Sequence, residues 1–178
     1  MGHVVFEGLL AGYGVAVPVG AIAALIVALT ARTSLAVGSS AALGVATADG
    51  LYALAAVAGG AALAHVIQPV STPLRWLAMV ILLILAVRQA VTAVRHYRDP
   101  LGRKESAGLA TPGRAYAGLL GLTLLNPMTI VYFGALVLGR GDHARLTVAQ
   151  SAVFVVAAFA ASASWQLLLA GGGALVGR

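Results

Sequence analysis

Five stretches of this chain, residues 8–30, 36–66, 74–94, 116–138 and 146–170, run for about twenty residues or more with almost no charge. A helix needs about 20 predominantly apolar residues to cross the hydrocarbon core of a bilayer. In lipid every backbone polar group has to be satisfied within its own segment, so each run is expected to be an α-helix. With 61% hydrophobic and 9% charged residues the chain falls outside soluble composition, where about a quarter of residues are charged. The expectation is an all-α integral membrane protein, a single transmembrane domain over residues 1–178 with five transmembrane helices and no room for an extramembrane domain.

Several function classes drop out. The chain has no cysteine, which removes thiol redox chemistry, disulfides and thiolate metal sites. No serine-histidine-acid set, phosphate loop or paired carboxylates are visible, so no enzyme and no cofactor are expected. The net charge of +6 sits in short loops without interleaved aromatics, which argues against nucleic acid. The first apolar run has no basic leader and exceeds a signal-peptide core, so it is expected to be a retained span.

The loop at 95–115 is the sizeable polar segment. Placing it in the cytoplasm puts Arg32, Arg95, Arg98, Arg103, Lys104, Arg114 and Arg178 inside, against Arg75, Arg140 and Arg145 outside. The N-terminus is then outside, and the basic loop gains attraction to anionic membrane lipid.

That loop also divides two similar halves. Gly8-Leu9-Leu10 precedes Pro18 much as Gly118-Leu119-Leu120 precedes Pro127, and Arg32 and Arg140 follow at nearly equal distances. Corresponding Pro/Gly-interrupted spans in two halves point to a protein built from repeats around a midplane site. The first repeat covers 1–94 and the second 116–178, in inverted orientation. Inverted repeats need an odd number of spans each, so the second lacks its last helix. The expected parent is a six-helix protein of two inverted three-helix repeats, either truncated here or completed by another chain.

Asp49 is the acidic residue that lies inside one of these runs. A charged carboxylate at bilayer depth costs roughly 2.5–3.5 kcal/mol on insertion scales, so such groups usually mark a substrate or proton path. Tyr52 follows one turn later. Asp49 is a candidate to bind an ammonium group and to carry a proton; the alternative is a structural hydrogen bond to a neighbouring helix, through Tyr13 or Asn126. Arg88, near the end of the third span, is the main basic candidate to neutralise it.

Pro18 removes a backbone donor and opposes the carbonyl of Gly14, so the helix is expected to break between Gly14 and Gly20. The half-helix starting near Gly20 would offer free N–H groups and a positive dipole end to a carboxylate. Asn126-Pro127 repeats the device in the fourth span, with a freed carbonyl expected at Thr123. Ser162, Ser164, Trp165 and Gln166 form the most polar part of the fifth span, as counterparts of Asp49 or as ordinary interhelical contacts. His3 and Glu7 have helical metal-ligand spacing but only two donors, and no metal site is expected.

Taken in order, the glycine-proline segment 12–20, Asp49, the basic central loop and Leu125-Asn126-Pro127 make the chain resemble the LysE/RhtB family of bacterial amino-acid exporters. The resemblance covers essentially the whole chain. One departure is that the family often carries Pro-Gly-Pro in the first span, where this chain has Pro18-Val19-Gly20. It implies a six-span inner-membrane protein that exports an amino acid or related small zwitterionic metabolite, driven by protons. Substrate contacts are expected from Gly14, Pro18, Gly20, Asp49, Tyr52, Asn126 and Pro127, with Asp49 also coupling the proton. A single intramembrane carboxylate favours a neutral amino acid. The Gly/Ala-rich second and fifth spans suit a homodimer. Two alternatives stay open: a cation or metal-ion exporter of related architecture, and a non-transporting membrane subunit.

Overall fold

The computed structural model describes residues 1–18, 20–58, 108–126 and 146–177, together with 76, 80, 83, 84, 87, 129, 132 and 133. Among the described residues all regular structure is helical. Helix α1 covers Gly2–Ala16, α2 Ala21–Arg32, α3 Leu35–Ala58, α4 Pro112–Leu124 and α5 Val148–Val176. Helices α3 and α5 are each long and apolar enough to cross a membrane, and α1 with α2 qualifies as one span bent by 76°.

Local chemistry sets most of the helix ends. Helix α1 stops at Ala16 because Pro18 has no N–H to continue the ladder; the Val17 N–H closes the last turn onto Tyr13 O at 2.8 Å. Gly20 stands in extended conformation before α2 and offers no side-chain cap. A two-residue turn, Thr33-Ser34, joins α2 to α3, and the Ser34 hydroxyl accepts the Val37 N–H at 3.3 Å, a serine N-cap. Pro112 opens α4 in the first-turn position where a missing N–H is harmless. Thr147 and Gln150 form a reciprocal capping box at the start of α5.

Small residues hold the helices together. The buried apolar side chains are mostly alanine, while Leu35, Leu51, Leu54, Val156 and Leu168 point outward, the pattern expected where lipid covers the outside and close backbone approach forms the inside. Gly8 and Gly12, one turn apart, lay α1 against α5: a Cβ on Gly8 would lie 2.6 Å from Phe154 O, and one on Gly12 would run into Ala158 O. Further along, Gly173 of α5 and Gly177, its C-cap, approach Val27 and Ala31 of α2 in the same way. The bent span therefore advances in the same sense as α5, touching it before and after the break. Helix α3 sits between the others, with Gly38 on Thr30 of α2, Gly44 on the Tyr116 backbone of α4, and Gly50 beneath the Phe159 ring of α5.

Two boundaries differ from the sequence expectation. The first span starts at Gly2 rather than near residue 8, because Val4 is fully buried and packs with the Phe154 cluster. The fifth runs on through Gly171, Gly172 and Gly173 to Val176 instead of ending at residue 170. Glycine is a poor helix former, but Gly173 allows an approach to Val27 and Thr30 that a side chain would block. Trp76, Val80, Leu83, Ile84 and Val87, within the third apolar run, are helical and exposed at the spacing of one helix face, as a lipid-facing stripe would be. The end of the second run after residue 58, Arg88, most of the 95–115 loop, Pro127 and Arg140 lie outside the described residues.

Candidate functional site

Two apolar clusters stack along the bundle. One gathers Val4 and Ala11 of α1, Ala53 and Ala56 of α3, Phe133, and Phe154 and Ala158 of α5. The other gathers Ile26 of α2, Val37, Ala41, Ala42 and Val45 of α3, Ala115 and Leu119 of α4, and Ala170 of α5. Along every one of these segments the interval between the two clusters carries polarity or a helix break. In the first span it holds the break at 17–20; in α3, Asp49; in the fourth span, Thr123, Asn126 and Thr129; in α5, Ser162 and Gln166. Of the buried polar residues described, only Thr30 lies elsewhere, its hydroxyl donating to Ile26 O. A polar layer thus crosses the middle of the bundle, which is where a transporter of broken helices keeps its ligand.

Asp49 occupies the centre of that layer and is 2% exposed. The Ser162 hydroxyl, itself fully buried on α5, donates to Asp49 Oδ2 at 2.6 Å. The neighbouring-helix partner is therefore Ser162, not Tyr13 or Asn126. The Ser164 hydroxyl donates to Ala161 O at 2.8 Å, so the 2.9 Å bond between Tyr13 and Ser164 is donated by Tyr13. Among the described residues no cation pairs with Asp49, whose one described partner is neutral.

Helix α4 contributes through its end. Helix α4 stops at Leu124, ahead of Asn126-Pro127 as the missing proline donor requires. The carbonyl expected to be freed, Thr123 O, is instead taken by the Asn126 N–H at 3.0 Å in a tightened last turn. It is Leu124 O that reaches outside the helix, where the Tyr52 hydroxyl donates to it at 2.5 Å. Tyr52 also stacks on Phe133, with centroids 6.1 Å apart, and Phe133 meets Tyr132 edge-on. Gly14, near the end of α1, is where the Tyr132 hydroxyl approaches; a side chain there would collide with it. Helices α1, α3 and α4 thus meet around Gly14, Tyr52 and the α4 terminus, while Pro18 and Gly20 are exposed at the break.

On one side of this layer the polar inventory is incomplete. Trp165 Nε1 and Gln166 Oε1 are buried with no hydrogen-bond partner. Sequence reasoning ranked the polar stretch of the fifth span no higher than ordinary packing. The available signal was the four-residue rhythm of Ala158, Ser162, Gln166 and Ala170, a small-and-polar stripe on one helix face, all of it buried.

What such a layer can do chemically is bind both ends of a small charged molecule. An uncapped helix start at Gly20 suits an anionic group, and a buried carboxylate held by a single hydroxyl suits a cation. A family model described as LysE type translocator matches residues 14–178, a range that contains the break, Asp49 and all of the α5 side chains named above. No curated protein and no solved structure matches the chain.

Proposed function

Because the chain belongs to the LysE type translocator family, we propose that this membrane transporter exports an amino acid or related small zwitterionic metabolite across the bacterial inner membrane, in exchange for protons. The observation that carries this reading is the polar layer between two apolar clusters, with a broken helix on one side and Asp49 on another. The substrate carboxylate meets the free N–H groups of α2 beyond Pro18 and Gly20. Its ammonium meets Asp49, replacing the Ser162 hydroxyl. Binding both charges together offsets the cost of removing each from water.

Proton coupling follows from the same group. A proton arriving from outside neutralises Asp49 and releases the ammonium; the neutral carrier returns, and the proton leaves to the cytoplasm. Tyr52 fixes the end of α4 through Leu124 O, next to Asn126. Gly14 keeps room for Tyr132 beside it. The carboxylate count supports a neutral amino acid, since a second substrate cation would need another partner.

Orientation has support of its own. Arg32 ends α2, Arg114 lies in the first turn of α4, and Gly177, the C-cap of α5, packs on Ala31, so these ends gather on the side of the Ile26–Leu119 cluster. Basic residues collected at one end favour that end as cytoplasmic and the start of α1 as external. The test is counterflow in liposomes with a labelled amino-acid panel, wild type beside Asp49→Asn. Flux of one or a few amino acids that the substitution abolishes is the expected result. Absence of flux for every amino acid, with both proteins folded, would reject the proposal.

A further inference from the structure

Two atoms of α5 in the polar layer have no partner, and they differ in chemistry. The Trp165 indole N–H can only donate, and the Gln166 amide oxygen can only accept. Gln166 is 4% exposed, and folded proteins pair nearly all such atoms, so an unpaired one calls for a ligand or a cost.

The two atoms also differ in where they sit. Trp165 follows Ala161 by one turn, and Ala161 packs on Gly12 of α1. Continuing along α5 from there, Gly173 packs on Val27 and Thr30 of α2. Trp165 therefore occupies the α5 face that passes over the break between α1 and α2. Gln166 follows Ser162 by one turn, and Ser162 bonds Asp49. The amide therefore occupies the face that carries the carboxylate. The unpaired donor lies on the side of the open helix start, and the unpaired acceptor lies on the side of the acid.

We propose that Trp165 and Gln166 form the fifth-span wall of the substrate site, the indole N–H donating to the substrate carboxylate at the break and Gln166 Oε1 accepting an ammonium hydrogen beside Asp49. This rests on the zwitterion reading above and sharpens it. Each end of the substrate gains one neutral partner of matching sign, so the site carries a single negative side chain and suits an α-amino acid without a further charge. The ammonium has to present at least two N–H groups, one to Asp49 and one to Gln166. The same pairing gives the buried Gln166 Oε1 a partner, one that arrives with the substrate.

The experiment uses the whole chain in liposomes and a labelled panel of neutral α-amino acids, each beside its N,N-dimethyl derivative, which keeps one N–H. Wild type, Gln166→Leu, Gln166→Met and Trp165→Phe are compared by counterflow. The expected result for both Gln166 variants is a rise of about tenfold in half-saturating concentration with maximal rate retained. Discrimination against the dimethyl derivative, present in wild type, disappears in these variants because the second N–H no longer has a partner. Trp165→Phe weakens the parent amino acids by a similar factor but leaves inhibition by the corresponding decarboxylated amines, which offer the indole no acceptor, unaffected. Thermal unfolding of the Gln166 variants without substrate is expected at or above the wild-type temperature, since Gln166 Oε1 has no hydrogen bond within the protein to lose.

A lower unfolding temperature with unchanged half-saturation would make Gln166 a structural residue and overturn the proposal. So would variants that still discriminate against the dimethyl derivative as wild type does. If wild type carries amino acids while all variants match it, this inference fails and the exporter reading stands. If wild type carries none, both fail together.

Discussion

Removing the Ser162 hydroxyl should weaken the protein by an amount that depends on whether Asp49 is present. The two groups meet at 2.6 Å, Ser162 at 0% and Asp49 at 2% exposure, so no water competes for the bond. Hydrogen bonds to charged groups contribute about 1.5–3 kcal/mol in soluble proteins. Those between membrane helices average about 0.6 kcal/mol and reach about 1.7, because the unfolded helices find other partners in the bilayer. A short, fully buried bond to a carboxylate belongs at the upper end of the membrane range. Ser162→Ala is therefore expected to cost about 1–2 kcal/mol. Asp49→Ala removes the acceptor without supplying a new one, in a stretch already rich in alanine and glycine. In that background Ser162→Ala should cost less than about 0.5 kcal/mol, the limit expected of uncoupled sites. The four proteins would be unfolded in mixed micelles of a mild detergent and dodecyl sulfate and followed by far-ultraviolet circular dichroism. Equal costs of Ser162→Ala in both backgrounds would refute the reasoning, because the hydroxyl would then not be holding the carboxylate.

Gly12→Val drives a side chain into the Ala158 carbonyl and to 2.8 Å from Ala161 Cβ, neither of which can swing away; a loss of about 2 kcal/mol or more is expected in the same assay. Gly172→Ala meets nothing within 4 Å and should gain about 0.5 kcal/mol from helix propensity alone, so a loss there would show that the contact reasoning misjudges α5. Tyr52→Phe keeps the stack on Phe133 but leaves Leu124 O without its donor, and is expected to lower stability by about 1 kcal/mol and to reduce transport rate more than apparent affinity; an unchanged rate would remove Tyr52 from the positioning of the α4 end.

The parts of this arrangement that one segment dictates by itself could be seen in the sequence. Pro18 breaks its own helix whatever surrounds it, and the break lies between Ala16 and Ala21, inside the expected interval. Asp49 stands out because its neighbours are alanine, glycine and threonine. The parts that depend on a second segment could not be seen. Ser162 is separated from Asp49 by more than half the chain, and nothing near either residue specifies the other. Gly171 to Gly173 carry the same composition as a helix terminus, and only the approach of Val27 and Thr30 at Gly173 explains why the helix continues. Thr123 was expected to hold a free carbonyl because proline removes the donor four residues later; a tightened turn supplied the Asn126 N–H, and the opening moved one residue on to Leu124, where Tyr52 closes it.

Helix α5 is continuous where the span beside it is not. It is fastened to α1 at Ala158 and Ala161 and to α2 at Gly173, on either side of Pro18. The stretch from Ala161 to Gly173 measures roughly 18 Å at the rise of an α-helix, and that length does not change while the helix stays intact. The two places where the bent span meets α5 are held that far apart by α5 itself. For a substrate bound at the break as proposed, the spacing between the two contacts is then set by α5, as by a ruler. If a zwitterion binds there as proposed, inserting a single methylene between its two charged ends should matter more in counterflow than enlarging its side chain.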